Sequence, residues 1–281
     1  MKPPTMMRAL FGIIATASSA DTAFMTGLRQ SIRGGMFQQT LSVGVVLTLI
    51  WVNARVIRRL RDDQSQSSPA TVGYTNCSMQ QHALDMLAAL DALQIPFCHL
   101  ATHSTGGIIA ARMLLMQPER FGQVFALDPV TPLGLAFSAE QIGLFRAMMA
   151  SREVTRAMTA TAASSLFLPD SIGPGAMPVF REGLGAIQAL FERILDQTFG
   201  VSEGVWIGTP VNLTRERENR ELERRMSEIR HPHLVVWGER DGWIAPDDLR
   251  TMEAPMPNCR LVIVPGVGHS MNLEKPPLYA G

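Results

Sequence analysis

A single serine stands between an apolar, strand-like run and an apolar, helix-like run, and this junction constrains the fold more than any other feature of the chain. Residues 97–102 (Phe-Cys-His-Leu-Ala-Thr) predict a buried strand, and residues 106–116 predict a helix with apolar positions at Ile108, Ile109, Met113 and Met116. Between them lies His103-Ser104-Thr105. A strand that turns sharply into a helix holds the intervening serine in a strained backbone conformation with its hydroxyl exposed. The helix N-terminus then offers backbone N–H groups where negative charge can develop. Such a turn needs small residues two before and two after the serine. Gly106 meets the second demand, whereas Thr102 stands where the pattern G-x-S-x-G has glycine. A Ser/Thr/Gly turn without chemistry fits the same residues, so this run alone leaves both readings open.

Two further segments repeat the design. His233-Leu-Val-Val-Trp-Gly-Glu-Arg-Asp241 predicts a buried strand with Asp241 just beyond its end. Arg260-Leu-Val-Ile-Val-Pro-Gly-Val-Gly-His269 predicts another strand, a glycine-punctuated loop and a histidine. Nucleophilic catalysis by serine needs a base for the hydroxyl proton and a carboxylate to orient the imidazole and stabilise the imidazolium. The order here is Ser104, Asp241, His269, each after a strand candidate. The long gap from Ser104 to Asp241 leaves room for an inserted cap. The short gap from Asp241 to His269 fits one helix.

These segments resemble the α/β-hydrolase superfamily, in its capped branch of esterases, cofactor-free haloperoxidases and carbon–carbon bond hydrolases. The resemblance runs from about Tyr74 to Pro276. It rests on His103-Ser-Thr-Gly-Gly107, Gln117-Pro-Glu-Arg-Phe121, Trp237-Gly-Glu-Arg-Asp241 and Gly268-His-Ser-Met-Asn-Leu-Glu-Lys-Pro276. It implies an α/β fold, a mostly parallel sheet flanked by helices with a helical cap insertion. The implied division is a core of residues 67–128 and 231–281, a cap of residues 129–230, and an atypical N-terminal region of residues 1–66. The implied activity is cleavage of carboxylic esters through an acyl-enzyme. Ser104 would be the nucleophile, His269 the base and Asp241 its orienting acid, with the Thr105 N–H as an oxyanion donor. No metal or organic cofactor is implied. A carbon–carbon hydrolase or haloperoxidase-like perhydrolase with the same triad, or a non-catalytic relative, would share these residues.

Composition agrees. With 281 residues, 46% hydrophobic and 18% charged, the chain suits one α/β domain with a sizeable core and an insertion. A formal net charge of zero gives no reason to expect a nucleic-acid partner. The expected partner is a small-molecule substrate, an apolar ester; the oligomeric state is not legible. Cys77, Cys98 and Cys259 lack metal-ligand spacing and cannot all pair, which points to a reducing, cytoplasmic compartment.

Within the core, residues 80–93 predict a helix with an apolar face of Ala83, Leu84, Leu87, Leu90 and Leu93, and residues 123–127 predict a short strand. The proposed cap is helical in character. Ser138-Ala-Glu-Gln141 matches a capping box opening a helix to Ala150. Residues 180–199 predict an amphipathic helix, and residues 214–230 a solvated one laced with acid–base pairs. Met148, Met149, Met158 and Met177, with Trp206 and Phe167, fit either cap core or substrate wall.

Other residues compete for roles. Asp128 also follows a strand candidate and is the alternative acid, though the loop around Asp241 suits the task better. Asp247 and Asp248 suit a helix start, as does Glu274, and His103 suits packing beneath the turn. The N-terminal quarter departs from the family pattern: no His-Gly dipeptide occurs anywhere, and an Arg-Gly-x-Gly-x-Ser turn is missing. Residues 1–70 carry 8 basic and 3 acidic residues. Residues 1–20 loosely resemble a secretory signal. Residues 41–52 are apolar but shorter than the roughly 20 residues of a membrane span. A damaged or frame-shifted start that joins the family pattern near Ser67 accounts best for these departures, and both ends are expected to be incomplete.

Overall fold

The computed structural model describes residues 74–173, 175–198 and 202–275. The expectations for residues 1–20 and 41–52, and for a damaged start that joins the family pattern near Ser67, lie outside the described residues.

Helix α1 (Met79–Ala92) opens where the Ser78 hydroxyl accepts from the Gln81 N–H at 3.1 Å. It buries Met79, Ala83, Met86, Leu87 and Leu90. The predicted stripe is therefore rotated: Leu84 and Leu93 are exposed. The helix carries more apolar residues than one face can bury, and the two methionines complete the i, i+4, i+7 row that meets the core. Strand β1 (Cys98–His103) leads through Ser104 into helix α2 (Gly106–Met116), which is buried on most of its surface. Strand β2 (Phe121–Leu127) follows and begins two residues earlier than predicted.

Next come helices α3 (Ala139–Ala150), α4 (Arg152–Ala162), α5 (Gly185–Thr198), α6 (Glu203–Trp206), α7 (Gly208–Asn219) and α8 (Glu221–Arg225). The chain then returns to the sheet as β3 (His233–Gly238), α9 (Pro246–Glu253), β4 (Cys259–Val264) and α10 (Met271–Glu274). The described strands form one parallel sheet in the order β1-β2-β3-β4. Parallel pairing aligns the carboxyl ends, with His103 beside Leu127 and Leu127 beside Val236. The residues following the strands thus gather along one edge of the sheet, where open α/β sheets place their ligands.

The capping box at Ser138 and Gln141 forms as predicted. Two other predicted helices differ. The helix expected from Phe180 starts only at Gly185: Gly183 takes a left-handed φ of 79°, and Phe180 bridges Phe167 instead. The helix expected across residues 214–230 is broken at Arg220, whose φ is 54°. Nor is that segment simply solvated. Its pairs Arg220–Glu223 and Arg225–Glu228 lie outside, but Glu216, Leu222 and Met226 are buried. Glu216 is drawn inward by Arg112 of α2, whose Nη2 donates to its two carboxylate oxygens at 2.9 and 2.7 Å. A buried arginine needs such a fork-shaped partner, and none is visible in a charge pattern read along one segment.

The segment between β2 and β3 also builds its own apolar clusters. Phe167, Phe191 and Leu195 form one, together with Leu273 of α10. Met148, Trp206 and Ile207 form another, with Met149 and Met158 packed against it. Phe167, Trp206 and three of the four methionines are thus packed within this segment, while Met177 is 66% exposed. No described helix is long and apolar enough to cross a membrane.

Candidate active site

Ser104 takes φ 53°, a left-handed conformation rare for a residue with a side chain. Three backbone bonds hold it there. Its N–H donates to Leu127 O at 3.1 Å, and its carbonyl accepts from Gly107 N–H at 2.9 Å and Val130 N–H at 2.8 Å. The approach is close: a side chain at Gly107 would meet Pro129 Cβ at 2.5 Å and Val130 O at 2.7 Å. Position 102 tolerates threonine, whose side chain is buried, but Thr102 Oγ1 has no hydrogen-bond partner among the described residues.

The three residues singled out by order meet in space. Ser104 Oγ lies 2.9 Å from His269 Nε2, and His269 Nδ1 lies 2.9 Å from Asp241 Oδ2. The carboxylate can only accept from Nδ1–H, which leaves the Nε2 lone pair facing the serine hydroxyl. Asp241 is fixed in turn, because its Oδ1 accepts from Trp243 N–H at 2.7 Å and Ile244 N–H at 3.2 Å. Its side chain is fully shielded, and that of His269 is 10% exposed. Thr105 is the N-cap of α2. Among the described residues its N–H has no acceptor.

His103, expected to pack beneath the turn, makes its contacts with the His269 loop. Its Nε2–H donates to the carbonyl of His269 at 2.8 Å, and the two rings lie 4.9 Å apart with their planes tilted by 41°. Desolvation, aided by the neighbouring His269, pushes its pKa down to about 4. His103 is therefore a neutral donor that fixes the His269 backbone.

Asp128 follows β2 as expected but does not reach His269. It is fully buried, with φ 41°. Its Oδ1 accepts from Gly238 N–H at 2.8 Å, and Oδ2 has no partner among the described residues. Burial, with added repulsion from Asp241 and Glu274, pushes its pKa up to about 9 against the Gly238 bond. Asp128 is thus a neutral carboxylic acid at pH 7, unable to stabilise an imidazolium.

Glu274 lies in the single turn of α10, the short helix after the histidine loop, and its side chain turns back into the protein. Its Oε1 accepts from Gly268 N–H at 2.8 Å and its Oε2 from Ser165 N–H at 3.1 Å. Asp247 and Asp248 do lie in the first turn of α9. An aromatic path also escaped the sequence reading: Phe137, Phe145 and Trp243 contact one another in turn, and Trp243 lies 6.5 Å from the His269 ring. Half-buried aromatics this far apart in the chain, one before and one within α3 and one after β3, give no signal that links them without the fold. Among the described residues no cluster of three His, Cys, Asp or Glu is placed to hold a metal ion.

A strained serine at a strand-to-helix turn, facing a histidine on a later strand-end loop of a parallel sheet, defines the class. The chain belongs to the Alpha/beta hydrolase family, whose model matches residues 50–281. That match begins well before Tyr74, into the stretch whose sequence shows no family landmark. Among solved structures, the chain is similar to an esterase from Exiguobacterium antarcticum, with a TM-score of 0.53 and 17% identity over 72% of this chain and 71% of that one. It is similar also to the enol-lactonase from Burkholderia xenovorans LB400, with a TM-score of 0.56 and 15% identity over 72% of this chain and 70% of that one. A curated relative, the dihydrolipoyllysine-residue acetyltransferase component of the acetoin cleaving system of Pseudomonas putida, is 24% identical over 189 residues. That match covers 67% of this chain but only 45% of the relative, so the chain spans less than half of that protein's length.

Proposed function

We propose that the protein is a serine hydrolase that cleaves carboxylic esters through an acyl-enzyme. The observation that carries this reading is the unbroken hydrogen-bonded chain from Ser104 Oγ through His269 to Asp241. In the first half-reaction Ser104 Oγ attacks the ester carbonyl as its proton passes to His269 Nε2. Asp241 stabilises the resulting imidazolium. The tetrahedral oxyanion accepts from the Thr105 N–H, and collapse expels the alcohol, which takes the proton from Nε2. Water, deprotonated by the same nitrogen, then attacks the acyl-enzyme and releases the acid and free Ser104. These steps call on no metal or organic cofactor. Proton transfer of this kind supplies on the order of 10²–10⁴ in rate, and an oxyanion donor on the order of 10²–10³.

The segment of residues 129–230 serves in this reading as the cap over the site, and the Phe137–Phe145–Trp243 path favours an apolar group on the ester. The test is stopped-flow hydrolysis of p-nitrophenyl acetate and butyrate. The wild-type chain should give a burst of p-nitrophenol equal to the enzyme present, with butyrate the better substrate. Ser104→Ala should give none. No hydrolysis by folded wild-type protein, or wild-type rates in Ser104→Ala, would overturn the reading.

A further inference from the structure

The loop carrying His269 is fastened to the helical insertion by one carboxylate. Glu274 is 7% exposed, and no cation pairs with it among the described residues. Instead three donors from two segments converge on it. Gly268 N–H, immediately before His269, reaches Oε1 at 2.8 Å. The N–H and hydroxyl of Ser165 both reach Oε2. Ser165 belongs to the short 3-10 turn Ser164–Leu166 that follows α4 in the insertion.

Two neighbouring contacts follow the same line. Ser270 N–H, on the other side of His269, donates to Ala162 O at 3.0 Å. Leu273 is buried among Ala160, Ala163, Leu166 and Phe167 of the insertion. The packing leaves no slack: a side chain at Gly268 would meet Ala162 O at 3.0 Å and Glu274 Oε1 at 3.1 Å. Both residues flanking His269 are thereby bonded, directly or through Glu274, to residues 162–165. A buried carboxylate that accepts only from backbone and hydroxyl donors is a rigid joint, because removing it strands those donors in the interior.

We propose that Glu274 is a positioning residue: it locks the His269 loop to the insertion, so that the seat of the insertion and the alignment of the imidazole with Ser104 are set by the same side chain. The inference rests on the serine-hydrolase reading for its kinetic consequence, and on geometry alone for the joint itself. Glu274→Gln keeps the shape but presents an NH₂ group to one of the two sets of donors. The loop must then give on that side. A displacement of about 1 Å at a reacting group is enough to cost on the order of 10²-fold in rate.

The experiment follows fluorophosphonate labelling of the full chain over time. The amplitude counts competent sites, and the rate constant reports how well His269 activates Ser104. Folded Glu274→Gln should keep a near-stoichiometric amplitude while its rate constant falls by about 10–100-fold. Ser165→Ala, which keeps the backbone donor, should fall in the same direction by less, and it carries the kinetic test should Glu274→Gln fail to fold. Wild-type rate constants in folded Glu274→Gln, or in Ser165→Ala if that variant alone folds, would overturn the proposal. So would a reduced amplitude at an unchanged rate constant, the mark of a merely structural residue. Amide exchange separates the two layers. The Gly268 and Ser165 N–H groups should exchange faster in Glu274→Gln than in wild type, or the Ser165 N–H faster in Ser165→Ala where only that variant folds. Unchanged exchange defeats the joint even if labelling behaves, whereas failure of wild-type protein to label at all defeats the hydrolase reading instead.

Discussion

Two adjacent strand ends solve the same backbone problem and reach opposite chemical results. After β1, Ser104 turns at φ 53°, and after β2, Asp128 turns at φ 41°. Both are residues with side chains in a region that favours glycine. The Ser104 hydroxyl meets a lone pair on His269. The Asp128 carboxyl is buried by the sheet, bonded through one oxygen to Gly238 N–H, and its other oxygen has no partner among the described residues. Strand-end placement and a strained φ are therefore not what makes a group reactive. What differs is the partners: Asp241, as shielded as Asp128, accepts from two backbone N–H groups and from His269, while Asp128 accepts from one backbone N–H and its burial raises its pKa to about 9.

Substitutions can break this contrast. The largest effect should come from Ser104→Ala, with kcat for p-nitrophenyl butyrate reduced on the order of 10⁴–10⁶-fold. Asp241→Asn should cost on the order of 10⁴-fold, because the amide holds the wrong imidazole tautomer. If Asp128 were the working acid, that loss would instead follow Asp128→Asn, for which kcat should stay within about threefold of wild type.

Asp128→Asn should act on stability and its pH dependence. The folded-state pKa of Asp128 is raised from 3.8 to about 9, so the native state holds an extra proton across that window and stability falls as pH rises through it. The slope for one such proton is about 1.4 kcal/mol per pH unit. The imidazoles of His103 and His233 run the other way. Each is lowered from 6.5 to about 4, so their contribution is full above 6.5 and is lost as pH falls towards 4. Urea unfolding should therefore show maximal stability near pH 6.5 in wild type. In Asp128→Asn the decline between pH 6.5 and 8.5 should flatten while the acid arm remains. An unchanged alkaline arm would mean that Asp128 is ionised in the native protein. The smallest expected effect is that of Thr102→Val, which removes a buried hydroxyl without a partner. It should raise stability by about 1 kcal/mol with no change in kcat.

The order Ser104, Asp241, His269 was legible because each residue follows a continuous apolar run, and a parallel sheet brings such ends together whatever the intervening length. The rest was hidden where one segment's chemistry is decided by another. Glu216 reads as one charge in a charged helix until Arg112, on α2, draws it inward. Glu274 reads as a helix start because Ser165 is 109 residues away. Leu84 and Leu93 look like core because α1 has more apolar residues than its buried face can hold. The chain's direction at the turn says nothing of the partner of His103, a carbonyl on a loop that only the fold brings near.

The central claim is that Ser104, and not merely some residue of this fold, is the activated nucleophile. It is tested most directly by mass-spectrometric mapping of fluorophosphonate-treated protein at pH 7. One adduct per chain on the peptide containing Ser104, with labelling much slower in His269→Ala, is the predicted result. Folded wild-type protein left unmodified at Ser104, or labelled there equally fast without His269, would contradict it.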